Sequence, residues 1–563
     1  MPFPKARLAQ VLNTTTLGAK PLKNEKFNAI ILTTKTNNII GANIEIPKYD
    51  INKVRDNTEK NPIWIHFGAG NIFRGFLARI SDSLLNDNLI DKGVIAVDTH
   101  SAGKTDDYDM LEKVYKNVDN LTLLALIKNN GDIDKKIIGS VTDILHADFI
   151  NYYEPLKKIF ISKSLQIASF TITEKGYSIK DLNFKNDIEN GKPIVKNISN
   201  IMAMITELLF ERYKNGAYPI SMLSVDNCAN NGDKLKEAII TIAKEWLKNG
   251  LAREGFIEYL EDKNKVSFPL SMIDKITPRP SETISKKLKD LGLENSETFK
   301  IGNNSFAFFV NAEVPEYLVI EDNFANGRLP FEKAGVFMTD RITVQNSEKM
   351  KVTVCLNPLH TALAIFGCLF NYNYIYEEMK NPLLKKLIEK IGYDEGMKVV
   401  VNPKIINPKD FIKEVIEERF TNPFIPDSPQ RIACDTSQKI PVRFGETLKS
   451  YIEKDLDTTN LIAIPITIAA WIRYLMGIDD NGNEMNISPD PMLKELQAFI
   501  SKIEFKNIES VENNLYPILS NKNIFLVDLY DYNINLGKRI ENYFKEMIKG
   551  VGAVKECLNK YIK

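Results

Sequence analysis

The stretch "WIHFGAGNIFRGFLARISDSLL", residues 64–85, has the pattern of a buried strand, a glycine turn and an amphipathic helix. A turn of this kind lets backbone N–H groups and a helix N-terminus approach a pyrophosphate. Gly68 and Gly70 occupy the first two glycine places of the G-x-G-x-x-G fingerprint, but Phe73 stands at the third. The fingerprint alone is therefore weak, and a purely structural turn remains an alternative at this point.

The segments after this turn predict two domains. Strand-like segments alternate with helical periods, among them "GVIAVD" (93–98), "LTLLALI" (121–127) and "IASFTIT" (167–173). This alternation predicts βαβ units in a parallel sheet, and long helical periods replace it after about residue 333. We expect an α/β, Rossmann-like domain at 61–332 and a mostly α-helical domain at 333–563, which meet near the turn at 326–335. Residues 1–60 would form an N-terminal extension, with a short hairpin within 28–47.

Composition excludes several classes of partner. Lys plus Arg and Asp plus Glu both number 73, so the chain has no net charge to attract nucleic acid or an anionic membrane. No stretch approaches the roughly 18 apolar residues of a membrane span, and the N-terminus has no apolar signal segment. The five cysteines are widely spaced, which predicts reduced thiols, no metal site and a cytoplasmic protein.

Asp98 bears on the choice of nucleotide. It ends the predicted strand "GVIAVD", where an acidic side chain accepts hydrogen bonds from the adenosine ribose hydroxyls and disfavours a 2′-phosphate. This position favours NAD over NADP. The alternative is an ordinary polar residue at a strand end, because Asp98 lies further from the glycines than the usual roughly 20 residues.

A second stretch, "EKMKVTVCLNPLHTALAIFG" (348–367), carries side chains suited to proton transfer. Desolvation would lower the pKa of Lys351 if it lies between apolar neighbours and faces a cleft, so that it could act as acid or base. Oxidation of a hydroxyl needs such a base together with donors to the oxygen, and Asn357 and His360 share one helical face. The alternative is a surface lysine followed by a helix that starts at Asn357 and Pro358.

Six ordered motifs then match one family. They are "GAGNIFR" (68–74), "TITEKGY" (171–177), "LSVDNCANNGDKLK" (223–236), "FPLSMIDKITP" (268–278), "VIEDNFANGRLPFEKAGV" (319–336) and "PQRIACDTSQKIPVR" (429–443). The chain resembles the polyol-specific long-chain dehydrogenases, the mannitol dehydrogenase family, over roughly residues 62–530. Its members include mannitol 2-dehydrogenase, fructuronate (mannonate) reductase and tagaturonate reductase. The resemblance implies a Rossmann-like domain followed by a helical domain of the 6-phosphogluconate-dehydrogenase-like kind, and it makes the missing third glycine a family trait.

The resemblance also implies roles for individual residues. Lys351 would be the catalytic acid or base, Asn227 and Asn357 the amides that hold the reacting oxygen, His360 the donor to the substrate carbonyl, and Glu348 the route of proton exchange with solvent. The substrate-binding residues would be Asp274, Arg431 and Lys439. The cofactor-binding residues would be Gly68, Gly70, Phe73, Arg74 and Asp98. No metal is needed, since the cofactor carries the hydride chemistry.

The spacing of the catalytic residues departs from the family. Lys351 precedes Asn357 by six positions, whereas the family has five. On a regular helix this extra residue would rotate Asn357 by about 100° relative to Lys351, unless a π-bulge absorbs it.

These features together predict an NAD-dependent oxidoreductase of a small sugar acid or polyol, a monomer or a homodimer. A substrate carboxylate would call for an extra cation, for which Arg431, Lys439 and Arg443 are available. We therefore expect the reduction of D-fructuronate by NADH to D-mannonate. The alternatives are mannitol 2-dehydrogenase or tagaturonate reductase activity and, in another class, a nucleotide-binding protein with an impaired catalytic site.

Overall fold

The computed structural model describes residues 44–99, 111–147, 152–180, 200–291, 293, 296–301, 304–424 and 427–563. The hairpin predicted within 28–47 lies almost wholly outside these ranges. The chain divides into two compact units between Gln345 and Asn346. The strand Phe337–Thr339 pairs with Tyr317–Glu321 inside the first unit, which explains why the division falls after the turn at 326–335.

A six-stranded parallel sheet forms the centre of the first unit. Its strands in chain order are β1 (Trp64–Phe67), β2 (Val94–Asp98), β3 (Val141–His146), β4 (Ile167–Phe170), β5 (Ile220–Ser224) and β6 (Val266–Ser267). The order across the sheet is β3-β2-β1-β4-β5-β6, with every neighbouring pair parallel. The strands β2 and β3 lie on one side of β1, and β4, β5 and β6 lie on the other, so the strand order reverses between β1 and β4. Open α/β sheets bind ligands at such a reversal, at the carboxyl ends of the strands.

The sheet is covered on both faces. All four residues of β1 are buried, with Ile65 and Phe67 in one apolar cluster and Trp64 in another. Burial on both faces explains why the strands read as continuous apolar runs rather than as alternating ones. In the described part of this unit, the α-helices are Ile51–Lys60, Ala78–Asn86, Tyr153–Phe160, Thr173–Gly176, Ile201–Lys214, Asn231–Lys248, Glu254–Glu261 and Glu282–Asp290.

The segment "LTLLALI" does not join the parallel sheet, and this corrects the sequence-based expectation. Thr122–Ile127 pairs antiparallel with Ile133–Ile138 and parallel with Phe309–Glu313, in a sheet whose fourth strand is Ile44–Glu45. A short connection can only return the chain antiparallel, because a parallel neighbour needs a long crossover. The first unit also contains a sheet of Ser271–Asp274, Tyr317–Glu321 and Phe337–Thr339, and a strand pair of Thr298–Ile301 and Asn304–Ala307.

The second unit is built from helices. The α-helix Arg341–Met350 crosses the division between the units. The α-helices after it are Asn357–Leu369, Ile375–Glu378, Pro382–Glu389, Pro408–Glu414, Pro429–Ile432, Thr436–Ile440, Glu446–Glu453, Ala463–Tyr474, Leu493–Ile500, Tyr516–Leu519, Lys522–Phe525, Gly537–Met547 and Ala553–Tyr561. π-helical turns occur at Lys351–Cys355, Lys390–Glu395, Val415–Arg419 and Pro441–Gly445.

The central helix of this unit, Ala463–Tyr474, is buried along its whole length. A buried helix start leaves backbone N–H groups without water, so they need acceptors from the protein. Glu395 supplies them, since its carboxylate accepts from the N–H groups of residues 462, 463 and 464 at 2.7, 2.7 and 2.8 Å. A carboxylate at this end of a helix also meets the positive end of the helix dipole.

The expectation that no stretch approaches a membrane span is corrected at Arg341–Leu369, which is long and apolar enough to cross a bilayer by length and composition. However, 78% of its most apolar window is buried inside the structure. Its burial is that of a core helix. The five cysteines are free thiols.

Candidate functional site

The glycine turn lies at the point where the strand order reverses. Gly68 directly follows β1 and has φ +119°, and a Cβ atom there would clash with the carbonyl oxygen of Thr171, which follows β4. Only glycine is compatible with this approach. A Cβ on Gly70 would meet open space within 4 Å. The turn is therefore closed against β4 at Gly68 and open at Gly70, a shape that fits a pyrophosphate.

A buried chain of hydrogen bonds supports the turn from beneath, and sequence reasoning missed it. Trp64 Nε1 donates to Ser169 Oγ at 2.7 Å, and Ser169 Oγ lies 2.7 Å from His66 Nδ1. His66 Nε2 lies 2.9 Å from Thr171 Oγ1, whose hydroxyl donates to the Gly68 carbonyl at 3.2 Å. Because a carbonyl oxygen only accepts, Thr171 donates its one proton to Gly68 and accepts from His66 Nε2, which leaves Nδ1 of the neutral ring to accept from the Ser169 hydroxyl. Burial lowers the pKa of His66 to about 3, which keeps the ring neutral as this arrangement requires.

Phe73 and Arg74, both predicted to bind the cofactor, are fully buried below the turn. The Phe73 ring stacks on His66 with centroids 4.3 Å apart. The Arg74 guanidinium donates to the carbonyl oxygens of Ala307 and Phe308, both at 3.1 Å. Burial lowers its pKa to about 10, so it keeps its charge at neutral pH. The geometry gives these side chains a supporting position inside the protein.

Three residues that the sequence predicts for the site lie at the end of a strand, or just after one, in the first unit. Asp98 is the last residue of β2, is 1% exposed, and has Oδ2 4.0 Å from His146 Nε2. Asn227 is exposed and lies in the loop after β5. These two residues and Gly68 therefore share the carboxyl edge of one sheet. Asp274 is buried at the end of the antiparallel strand Ser271–Asp274.

The extra residue between Lys351 and Asn357 is accommodated by a π-turn over Lys351–Cys355. The N–H of Leu356 bonds the carbonyl of Lys351 at 3.0 Å, five residues back. Pro358 comes at the start of the helix Asn357–Leu369, where its missing N–H is tolerated. Lys351 is 2% exposed, which excludes the surface-lysine alternative. Glu348 is half-buried, one helical turn before it.

Asp427 contacts two of the predicted site residues of the second unit, the catalytic candidate His360 and the substrate-binding candidate Arg431. His360 Nε2 lies 3.3 Å from Asp427 Oδ2, without the alignment of a good hydrogen bond. Asp427 Oδ1 accepts from Arg431 at 2.8 Å from Nε and 2.6 Å from Nη2. Burial raises the pKa of Asp427, but its contacts with His360 and Arg431 outweigh burial and lower it. Burial lowers the pKa of His360, while Asp427 opposes that shift. The sequence signal for Asp427 was its place four residues before Arg431.

Two further cations belong to this region, Arg443 near His360 and Lys439 near Arg443. Lys439 Nζ donates to the carbonyl of Ile432 at 3.0 Å, and Arg443 donates to Thr361 Oγ1. Burial lowers the pKa of Lys439, and the charge of Arg443 lowers it further. Burial lowers the pKa of Arg443 to about 10. Among the described residues, neither cation forms an ion pair with a carboxylate. In that same part of the chain, no group of three or more His, Cys, Asp or Glu side chains is arranged to hold a metal ion.

Comparisons with known proteins match both units. The mannitol dehydrogenase Rossmann domain matches residues 62–333, and the mannitol dehydrogenase C-terminal domain matches residues 343–548. A D-mannonate oxidoreductase from Thermotoga maritima is 50% identical over 527 residues, which cover 92% of this chain and 95% of that protein.

Two solved structures share the fold. A D-sorbitol dehydrogenase in substrate-free form has a TM-score of 0.73 at 25% identity, covering 92% of this chain and 99% of that one. The mannitol 2-dehydrogenase of Pseudomonas fluorescens, solved with NAD and D-mannitol, has a TM-score of 0.64 at 24% identity and covers 94% of this chain and 99% of its own.

Proposed function

The chain belongs to the mannitol dehydrogenase family, and from this premise we propose that it catalyses the reduction of D-fructuronate by NADH to D-mannonate. The name of the Thermotoga maritima relative, D-mannonate oxidoreductase, supports a sugar acid as the substrate. The free thiols of all five cysteines support a cytoplasmic location.

One observation carries the choice of a sugar acid over a polyol. Arg443 lies near His360 and Lys439 lies near Arg443, both side chains are partly buried, and neither forms an ion pair with a carboxylate among the described residues. Buried charges are normally paired, because an isolated one loses its hydration without compensation. A substrate carboxylate supplies the missing partner. A polyol has no charge to offer at the same place.

The reaction adds a hydride to the carbonyl carbon and a proton to the carbonyl oxygen. The nicotinamide cofactor supplies the hydride when it is bound. Lys351 holds the proton and donates it to the oxygen, and its burial keeps the transfer away from bulk water. Asn227, Asn357 and His360 donate hydrogen bonds to the developing charge on that oxygen, each worth roughly 2.7–4 kcal/mol when well placed. Glu348 exchanges the proton with solvent.

The cofactor is a nicotinamide dinucleotide, and we assign NAD rather than NADP. The residues that would hold it are the glycines of the turn and Asp98. Asp98 is a carboxylate at the end of β2, where it accepts from ribose hydroxyls and repels a 2′-phosphate. Asp98→Ala is therefore expected to weaken NADH binding and to reduce the preference for NADH over NADPH.

The test of the substrate is oxidation of NADH by the purified protein with D-fructuronate, D-tagaturonate and D-fructose in parallel, repeated with NADPH. Turnover of fructuronate well above the other two is the expected result. Turnover of fructose alone would make the protein a mannitol-type dehydrogenase. Binding of NADH without turnover of any of the three would favour a site disabled for catalysis.

A pair of variants tests the role of the unpaired cations. Lys439→Met is expected to raise the KM for fructuronate by about tenfold or more, because a charge-assisted contact is lost. The matched control is Lys449→Met, which removes an exposed lysine on the helix Glu446–Glu453 and should leave the KM unchanged. An unchanged KM in Lys439→Met would contradict the proposed carboxylate contact.

A further inference from the structure

Thr173 has an unusual backbone conformation. Its φ is +63°, in the left-handed region that β-branched residues rarely enter. The residue is exposed and begins the short helix Thr173–Gly176, so no burial of its own side chain accounts for the conformation. Strained residues of this kind persist only where their surroundings impose them, and they concentrate at functional sites.

Asp226 is the residue that imposes it. One carboxylate oxygen, Oδ1, accepts from the N–H of Thr173 at 2.9 Å. The other, Oδ2, accepts from the N–H of Ile172 at 3.0 Å and from the Tyr177 hydroxyl at 2.5 Å. Asp226 is only 8% exposed. The three donors from one short segment converge on both oxygens of this buried carboxylate, so the turn at residues 171–173 cannot relax without losing them.

The strained turn is placed against the glycine turn. Thr171 follows β4, and its hydroxyl donates to the carbonyl of Gly68 at 3.2 Å while its own carbonyl fills the space that a Cβ on Gly68 would need. This contact lies between β1 and β4, where the strand order reverses. The conformation of residues 171–173 therefore fixes the position of Gly68, the first glycine of the turn.

We propose that Asp226 is a positioning residue for the dinucleotide, which holds the strained turn at residues 171–173 so that the glycine turn keeps its binding shape. This inference rests on the proposed binding of NADH. The Asp226 carboxylate does not touch the nucleotide in this proposal. It acts by keeping the fraction of molecules in the binding-competent conformation high, and that fraction multiplies the affinity directly.

Two variants distinguish positioning from ordinary structural support. Asp226→Asn keeps the shape of the side chain but replaces one acceptor oxygen by an NH₂ donor, and it is expected to raise the Kd for NADH about tenfold by lowering the competent fraction. Thr173→Gly removes the steric penalty at positive φ, so the protein should unfold at an equal or higher temperature. Because glycine adopts this conformation without the help of Asp226, adding Thr173→Gly to Asp226→Asn is expected to return the Kd for NADH to within about threefold of that of the unmodified protein.

Weaker binding in Asp226→Asn that Thr173→Gly reverses is the signature of the proposal. A carboxylate that contacted the nucleotide directly could not be replaced by a glycine at residue 173, so the double variant would then bind as weakly as Asp226→Asn alone. Asp262→Asn is the matched control, since Asp262 also accepts a backbone N–H, from Asn264 at 2.9 Å, but lies in an exposed turn after the helix Glu254–Glu261. It should bind NADH as the unmodified protein does.

The experiment is titration of the full chain with NADH, monitored by fluorescence or calorimetry, with Tm measured on the same samples. Failure of the unmodified protein to bind NADH would overturn the proposed function itself. Binding by the unmodified protein, with a Kd within about twofold of it in Asp226→Asn or with no recovery in the double variant, would overturn this inference alone. Should Asp226→Asn fail to fold, Tyr177→Phe replaces it, because it removes one of the three donors to Asp226, and a Kd within about twofold of the unmodified value in that variant would also overturn the inference.

Discussion

Lys351 combines burial with a position on an irregular turn, and both properties suit a proton donor. At 2% exposure it lies out of bulk water, and Glu348 is one turn away. Lys351→Ala should lower kcat for the sugar acid by about 10²–10⁴-fold, the usual contribution of a general acid, while the Tm and the Kd for NADH stay close to those of the unmodified protein.

The control for this variant is Lys349→Ala. Lys349 is exposed and pairs with Glu446 at 3.2 Å on the surface, so its loss should leave kcat unchanged. Equal activity of Lys351→Ala and the unmodified protein would remove Lys351 from the proposed mechanism.

Arg74 is a charged residue whose contacts give it a structural role rather than a binding role. Its guanidinium bonds the carbonyls of Ala307 and Phe308 in the protein interior. Arg74→Met leaves these acceptors unpaired and should cost about 2–4 kcal/mol of stability, with the Kd for NADH of the folded protein changed by less than about threefold. Chemical denaturation and NADH titration measure the two effects. The reverse result, stable protein with binding lost, would instead support direct contact with the cofactor.

The buried Glu378 predicts a pH dependence of stability. Neither of its carboxylate oxygens has a hydrogen-bond partner among the described residues, and burial raises its pKa well above the usual value. The folded protein therefore keeps the proton that the unfolded chain releases. The stability that this group contributes is fully present below the unfolded pKa of about 4.3 and is lost as the pH rises toward the folded pKa.

Glu378→Gln removes this dependence, because the amide is neutral in both states. The Tm of the variant, relative to that of the unmodified protein, should therefore be higher at pH 8 than at pH 5. Glu377→Gln, next in the chain and more exposed, should not show the change. Parallel pH dependence of Tm in Glu378→Gln and the unmodified protein would indicate that the carboxyl does not hold its proton on folding.

At the scale of the element, the π-turn over Lys351–Cys355 is the feature that reconciles this chain with its family. The sequence shows the extra residue, and the bulge is a conditional prediction from it. A π-turn takes up one residue without rotating the flanking helices against each other, so the direction of Asn357 relative to Lys351 is kept.

Deletion of Val352 tests this account. A chain shortened by one residue inside the π-turn should close into a regular α-helix, fold, and retain activity within about tenfold, because the flanking segments stay in phase. Deletion of Ile365, inside the regular helix Asn357–Leu369, rotates the remaining residues of that helix by about 100° and should abolish folding. A folded Val352 deletion with about a hundredth of the activity or less would show that the bulge itself is required.

The contacts that join elements were the part that the sequence could not predict. Asp226 reaches the turn after β4, and His66 on β1 reaches Ser169 on β4, although the partners are far apart along the chain. The motifs indicated which segments carry candidate site residues. They did not indicate that Asp226 accepts from Thr173, since such a pairing depends on neighbouring strands rather than on local spacing.

At the scale of the whole molecule, the chain has two compact units, of which the first carries the glycine turn. Binding to the folded state alone stabilises by mass action, by about 2.7 kcal/mol at a ligand concentration of 100 Kd. Differential scanning calorimetry should therefore show the transition that contains the first unit moving upward with NADH, and less with NADPH at the same concentration. An upward shift of equal size with both nucleotides would contradict the role assigned to Asp98.

The sequence by itself determined the α/β first unit, the helical second unit, the family and the candidate residues, because apolar periodicity, glycine turns and ordered motifs are local properties of the chain. Only the tertiary structure decided where each side chain lies and which groups it contacts. It buried Lys351, directed Arg74 into the interior, separated residues 122–127 from the parallel sheet and joined Asp226 to a strained Thr173. The physical reason is that burial and hydrogen-bond partners come from segments far apart in sequence, which meet only when the strands are placed side by side.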